Sequence, residues 1–323
     1  MKVKWGVLGT ANIARWCTIP GMQNANNCEL YAIAGRSEEK VKEFKEKFGF
    51  QKGYVGYEKL ISDPDVQAIY IPLPNDIHKK WVLAALNAKK SVLCEKPMAL
   101  NAEESAEMYK AARDNKVFLM EAYAYLHSPY VQALKDEIKS GSIGELQYID
   151  TGFVTQGYKE DFRLHKQLGG GMIYDLGCYC TTMILSLVDS EIEYVKAVAE
   201  MTDEGVDAFT SAIIKFKNGV HANFIVGMVL GENSNARYDK LYIHGTRGNI
   251  RSDVEYNQSG DLKYLLKSDG IFTEKSVFAP HNYTLEVENL SNCVLGLETP
   301  LVTEEFSIKN AKLLDALLNC VGY

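Results

Sequence analysis

The sequence predicts an α/β protein in two parts: a parallel sheet covered by helices on both faces, then an α+β domain built on a large, mostly antiparallel open sheet. Three observations lead there. Short, nearly all-apolar runs alternate with helical patterns over the first 120 or so residues, which is how parallel strands buried on both faces read. After Pro129 the pattern changes, and strands dominate from 191 to 277. A chain of 323 residues is also too long for one small core and fits two domains of ordinary size. The boundary is placed at 122, giving domains 1–122 and 123–323, with the C-terminal helix able to pack back on the first.

Each element has its own signal. Val3–Leu8 is a short apolar run ending at Gly9, and a helical pattern follows from Ile13. Cys28–Gly35 is a second strand. Ser37 can cap the charged helix Glu38–Phe48, which Gly49 closes. Ala68–Leu73 is a third strand, and Asn75 or Asp76 caps a helix whose Ile77, Trp81, Ala84 and Ala88 share a face. Ser91–Cys94 is a fourth strand, Asn101 opens a helix through Asn115, and Val117–Met120 is a fifth strand. A helix over 130–139 leads into an alternating segment, 145–156, and the cluster Gly169–Gly171 precedes an apolar helix to about 188. Ala212, Ile214 and Phe216 share parity with Val220, Ala222, Phe224 and Val226. Cross-strand partners share a sheet face, so pairing Phe216 with Val220 needs the three-residue loop Lys217–Gly219 with Gly219 left-handed. The opposite face carries Lys215, Lys217, His221 and Asn223. Two helices, about 283–296 and 304–320, close the chain.

Composition narrows the function. Apolar residues at 46% and charged residues at 24% exclude a disordered, collagen-like or coiled-coil chain. The net charge is -7, with no basic stripe, which argues against nucleic acid or an anionic membrane as the partner. No apolar run reaches the roughly 18 residues of a bilayer span. The first apolar stretch is broken by Gly9, Thr10 and Asn12, so it reads as a strand and not as a signal peptide. The seven cysteines (17, 28, 94, 178, 180, 293 and 320) have no paired spacing. They read as reduced thiols of a cytoplasmic protein without a metal site.

Three segments carry chemistry. Gly9-Thr10-Ala11-Asn12-Ile13-Ala14 stands after a strand and opens a helix, in the place of a G-x-G-x-x-G/A turn. There the backbone approaches a dinucleotide pyrophosphate seated on a helix N-terminus. The second strand ends at Gly35-Arg36-Ser37 with no carboxylate for a ribose 2′-hydroxyl. An Arg at that tip accommodates a 2′-phosphate, so Arg36, with Ser37 and Lys40 as helpers, favours NADP(H) while leaving NAD(H) possible. Cys94-Glu95-Lys96-Pro97 ends a parallel strand, where ligands of open sheets bind. An ammonium at Lys96 can polarise a substrate oxygen. Asp175 and Tyr179 follow the glycine cluster, four residues apart on one helix. A phenol titrates near about 10, and a nearby ammonium lowers that value and makes Tyr179 a usable proton donor and acceptor.

The segments WGVLGTANIA, AGRSEEK, LPNDIH, CEKP, MEAYAY, FRL, GGGMIYDLGCY and HGTRGNI run in order from residue 3 to about 250. Together they resemble the glucose–fructose oxidoreductase / inositol dehydrogenase / rhizopine-catabolism family. The resemblance implies a Rossmann domain, a second domain for substrate and oligomerisation, and NAD(P)-dependent hydride transfer at a sugar-like or diol carbon. It puts Gly9 to Ile13 and Arg36 at the adenosine and pyrophosphate end, and Leu73, Asn75 and His78 near the cofactor ribose. It puts Glu95 and Lys96 near the nicotinamide, with the Lys96–Pro97 bond often cis, and turns Asp175 and Tyr179 to the substrate. Tyr179, where the inositol dehydrogenase branch has His, is similar to the dihydrodiol dehydrogenase and NADP-dependent xylose dehydrogenase branch. Leu126 departs from that branch, which shows Arg there. A homodimer or homotetramer through the second sheet is expected. The rival reading is a cofactor-binding regulator without turnover. The pair Lys96 and Tyr179 and the lack of a DNA-binding motif argue against it, and no His-rich pattern supports an NAD-using hydrolase.

Overall fold

The computed structural model describes residues 1–231 and 235–323. The chain divides into two compact units, Met1–His127 with His281–Ile308, and Ser128–Pro280 with Lys309–Tyr323.

The first unit holds a six-stranded parallel sheet of β1 (Val3–Leu8), β2 (Cys28–Gly35), β3 (Lys52–Val55), β4 (Ala68–Ile71), β5 (Ser91–Glu95) and β6 (Leu119–Ala122). The order is β3-β2-β1-β4-β5-β6, so the direction of winding reverses between β1 and β4. Ligands of such sheets bind outside the carboxyl ends of the strands at that point. Every residue of β4 and β5 is buried, as the unbroken apolar runs require. The helices are α1 (Ile19–Asn24), α2 (Glu38–Phe48), α3 (Tyr57–Ile61), α4 (His78–Asn87) and α5 (Ala102–Asn115). Ser37 and Asn101 cap α2 and α5 by accepting from the backbone N–H of Lys40 and Glu104, and Gly49 ends α2 at φ 80°. The buried face of α4 is broader than its sequence pattern: His78, Trp81, Val82, Ala85 and Leu86 are buried, while Ile77, Ala84 and Ala88 flank them. Edge strand β3 and the five-residue α3 carry no signal in the sequence, because β3 buries neither face and α3 is too short to show a period.

A later helix, α8 (Asn282–Val294), belongs to this unit. Trp5 Nε1 donates to Ser291 Oγ at 3.0 Å. A Cβ at Gly21 would stand 2.8 Å from the Tyr283 backbone, so glycine is what lets α1 approach α8.

The second unit is built on β7 (Leu146–Thr155), β8 (Ile192–Met201), β9 (Asp207–Phe216), β10 (His221–Met228), β11 (Arg237–Gly245), β12 (Gly248–Ser252), β13 (Gly260–Ser268) and β14 (Ile271–Ala279). They form one eight-stranded sheet in the order β14-β13-β12-β11-β7-β10-β9-β8. Among the described residues of this sheet, only β7 and β10 pair in parallel. The β9–β10 loop has the expected form: Phe216 N–H donates to Val220 O at 2.9 Å, and Gly219 has φ 94°. Ala212, Ile214, Phe216, Val220, Ala222, Phe224 and Val226 are all buried, whereas Lys217 and His221 are exposed. Helices α6 (Pro129–Lys139) and α7 (Cys178–Leu187) complete the unit, and α9 (Glu304–Cys320) ends in it. None of the seven cysteines is in a disulfide. Among the described residues no helix is long and apolar enough to cross a membrane.

Candidate active site

In the first unit the carboxyl ends of β1, β2, β4 and β5 bring the predicted cofactor residues onto adjoining turns. Gly9 has φ 136°, and a Cβ there would meet the Leu73 side chain at 3.0 Å and Pro72 O at 3.5 Å. Its N–H donates to Ala34 O at 2.9 Å, so the turn is tied to the end of β2. A Cβ on Gly35 would in turn press on Val41 at 2.9 Å and on Thr10 at 3.3 Å. The helix begins at Asn12, and Ala11 before it, whose carbonyl accepts from Arg15 N–H at 3.0 Å, has only a methyl group and cannot cap with its side chain. Backbone donors at such a start favour an anion. A bare, close-packed glycine turn leading into an uncapped helix fits a dinucleotide pyrophosphate.

Arg36 is exposed at the tip of β2, and its charge acts on the Tyr57 phenol. Ser37 Oγ accepts from Lys40 N–H at 3.3 Å, a use that leaves the hydroxyl proton to donate. His78 differs from a simple ribose contact. It is fully buried, with Nε2 2.7 Å from Leu73 O and Nδ1 3.0 Å from Pro97 O. Burial pushes its imidazole below the usual value despite those carbonyls. The ring therefore braces the turn after β4 against the turn after β5. Asn75 is buried beside it at the start of a short 3₁₀ turn. On β5, Glu95 accepts from the Tyr70 hydroxyl at 2.5 Å and from Lys96 N–H at 3.4 Å. Lys96 is half-buried, and the Lys96–Pro97 bond is cis.

In the second unit the glycine cluster shapes a socket. Gly171 N–H donates to Arg163 O at 2.8 Å and Gly170 N–H to His165 O at 3.1 Å. A Cβ at Gly170 would lie 2.5 Å from Arg163 O, and one at Gly171, where φ is 98°, would lie 2.3 Å from Asp207 Oδ1. Both positions are glycine because backbone and a buried carboxylate occupy the space of a side chain. The chain then makes a π-helical turn, Ile173–Gly177, before α7. Asp207, fully buried, accepts from Ile173 N–H at 2.8 Å and from Thr210 Oγ1 at 2.7 Å. Burial pushes its carboxyl up to about 6. Asp207 thus takes up a backbone N–H at the start of the helix that carries Asp175 and Tyr179.

Asp175 is buried and takes an ion pair from Arg163, Nε to Oδ2 at 2.6 Å. Arg163 also reaches Asp161 at 3.0 Å and lies over the Phe162 and Tyr158 rings at 4.7 and 5.2 Å. Tyr179 is half-buried in an aromatic cluster, edge-on to Phe153 at 5.6 Å and tilted on Tyr256 at 5.2 Å. Sequence reasoning gave no role to Arg163, Asp207 or Arg237. Arg163 carried a usable signal, since it sits in the FRL segment just before the glycines. Asp207 carried none, because its partner in the turn is remote in the chain. Among the described residues no His, Cys, Asp and Glu cluster could hold a metal ion.

Residues 3–123 match the model of an oxidoreductase family with an NAD-binding Rossmann fold, and residues 131–251 match the GFO/IDH/MocA C-terminal domain. The chain is similar to D-xylose 1-dehydrogenase (NADP(+)) 2 of Haloferax volcanii, at 29% identity over 97% of this chain and 95% of the relative. It is similar to trans-1,2-dihydrobenzene-1,2-diol dehydrogenase of Xenopus laevis, at 29% identity over 100% of this chain and 99% of the relative. Its fold resembles the 3-ketoreductase KijD10 from Actinomadura kijaniata, crystallised with NADP and TDP-benzene, with a TM-score of 0.92, 26% identity, and coverage of 99% and 98% of the two chains. The glycine turn, the strand order and the matches over both units agree, and the chain belongs to the GFO/IDH/MocA family of NAD(P)-dependent oxidoreductases.

Proposed function

We propose that this oxidoreductase prefers NADP(H) to NAD(H) and interconverts the carbonyl and hydroxyl forms of a sugar, polyol, diol or related small molecule. The first unit would hold the cofactor and the second the substrate, with Lys96 and Tyr179 as the acid/base pair and Asp175 orienting the substrate. The observation that carries this reading is Lys96 directly after the carboxyl end of β5, in a sheet whose winding reverses two strands away.

The nicotinamide, when bound, supplies or receives the hydride. Tyr179 gives its proton to the carbonyl oxygen in reduction and takes one from the hydroxyl in oxidation. The Lys96 ammonium donates to the same oxygen and stabilises the charge that develops there. Asp175, paired with Arg163, accepts from substrate hydroxyls. Backbone N–H groups from Gly9 to Ile13 hold the pyrophosphate. Arg36, Ser37 and Lys40 hold the 2′-phosphate, and Leu73, Asn75, His78 and Glu95 shape the ribose and nicotinamide end. Seven thiols outside any disulfide support a reducing, cytoplasmic setting. Tyr194, Val198 and Ile213 are exposed on the open face of the sheet, and we assign that face to a homodimer or homotetramer, testable by light scattering. The functional test is initial rates with NADPH and NADH against aldoses, ketoses and dicarbonyls, and with NADP+ and NAD+ against trans-diols. Turnover that favours NADPH supports the reading, and equal rates with the two cofactors overturn the preference.

A further inference from the structure

We propose that Arg237 is a positioning residue for Tyr179: it covers the buried Asp239 carboxylate and so sets the electrostatic surroundings in which the phenol exchanges its proton. The inference rests on the reading of Tyr179 as the acid/base group.

The register of the sheet frames the observation. On β11, Ile243 pairs with Ile149, Leu241 with Thr151 and Asp239 with Phe153. Ile243, Leu241, Ile149, Thr151 and Phe153 are all buried, so alternation puts Asp239 and Arg237 on the same inner face. An apolar face that continues into a charged pair breaks its own pattern. Such a pair is weak support for stability, because desolvation of both ions offsets their attraction. A pair kept at that cost calls for another use.

Its geometry suggests the use. Arg237 grips Asp239 with two bonds, Nε to Oδ2 at 2.5 Å and Nη2 to Oδ1 at 2.7 Å. The Asp239 side chain is 3% exposed and that of Arg237 29%. The guanidinium lies 4.3 Å from the Phe153 ring centroid. Phe153 stacks on Tyr256 at 5.3 Å, and both rings touch Tyr179. Arg237 Nη2 also donates to Tyr256 O at 3.4 Å. Guanidinium and three rings thus form one cluster, in which Tyr179 and Arg237 are charge neighbours.

The charges around the phenol can be named. Arg237 faces it from β11 with Asp239 beside it, and Glu255 stands 3.6 Å from Arg237. Along the helix, Asp175 is covered by Arg163, which also holds Asp161. Tyr256 and Cys180 are further titratable neighbours in the cluster. Losing Arg237 removes a cation from the cluster and also uncovers Asp239. Both changes disfavour the phenolate.

The test is a pH titration of the full chain carrying ¹³Cζ-labelled tyrosine, with the Tyr179 resonance identified by its loss in Tyr179→Phe. The expected result is a Tyr179 midpoint higher by about one pH unit or more in Arg237→Met. It should return toward wild type in Arg237→Lys and fall below wild type in Asp239→Asn. An unchanged midpoint in a folded Arg237→Met overturns the proposal. If Arg237→Met fails to fold, Asp239→Asn decides, and an unchanged midpoint there overturns it. A wild-type Tyr179 that does not titrate up to pH about 11, a unit above an ordinary phenol, overturns it too. The measurement needs no substrate, so it is separable from the underlying reading, which fails if Tyr179→Phe still turns over with NADPH.

Discussion

Replacing Asp207 by Asn should make the protein relatively more stable as pH rises, although it alters a contact at a helix start. Asp207 is fully buried, and its carboxyl is pushed from an ordinary 3.8 up to about 6, chiefly by burial. The native state therefore holds a proton that the unfolded state has lost between those values, and wild-type stability falls as pH rises through that window. At about 1.36 kcal/mol per unit, the full cost above pH 6 is about 3 kcal/mol. Between pH 4.5 and 7.5 the change is about 2 kcal/mol, because part of the loss lies below the lower pH. Asn keeps an oxygen to accept from Ile173 N–H and Thr210 Oγ1, but it does not ionise. Urea unfolding of both proteins at the two pH values gives the comparison. The stability of Asp207→Asn relative to wild type should increase by about 2 kcal/mol from the lower to the higher pH. A difference that stays constant with pH would show that the carboxyl is not perturbed by its surroundings.

Three further outcomes follow from the same geometry. Arg163→Met strips the partner from a buried Asp175; with Arg163 25% exposed, the loss should fall at about 2–4 kcal/mol in denaturant unfolding, and a loss below about 1 kcal/mol would mark an ordinary surface pair. Gly171→Ala should lower the melting temperature well beyond Gly49→Ala, because Gly49 has only its positive φ to protect whereas a Cβ at Gly171 strikes Asp207 at 2.3 Å; equal losses would mean that backbone strain alone explains both. Arg36→Asp should reverse an NADPH preference of about tenfold or more, since one charge-assisted bond contributes roughly 1.5–3 kcal/mol and 1.4 kcal/mol is a decade; unchanged kcat/KM ratios would make Arg36 a solvated loop charge.

What was legible in the sequence follows from how local the cause is. Strand β4 was readable because burial on both faces leaves an unbroken apolar run, and β1, β2 and β5 because their apolar runs are interrupted only by Lys4, by Glu29 and by the terminal Ser91 and Glu95. The caps at Ser37 and Asn101 and the left-handed Gly219 were readable because each is fixed by a few adjacent residues. Edge strand β3 was not, since a strand with neither face buried needs no pattern. The Gly9 turn, Lys96, Asp175 and Tyr179 could be picked out as motif positions, but not what surrounds them. Asp207 reaches the glycine socket from β9, and Arg237 lies against Phe153 from β11. Those contacts exist only once the sheet has formed. His78 shows the same limit from the other side: its place beside the cofactor turns was implied, while its bracing of two carbonyls depends on the fold.

The most direct test of the central claim is NADPH oxidation by wild type, Lys96→Met and Tyr179→Phe with a carbonyl substrate from the aldose, ketose and dicarbonyl panel, with NADPH affinity measured in parallel by fluorescence. The account predicts that both variants fold and bind NADPH like wild type while kcat falls by at least about 10²-fold, as loss of a general acid/base group does. Folded variants that bind cofactor and keep near wild-type kcat would contradict it.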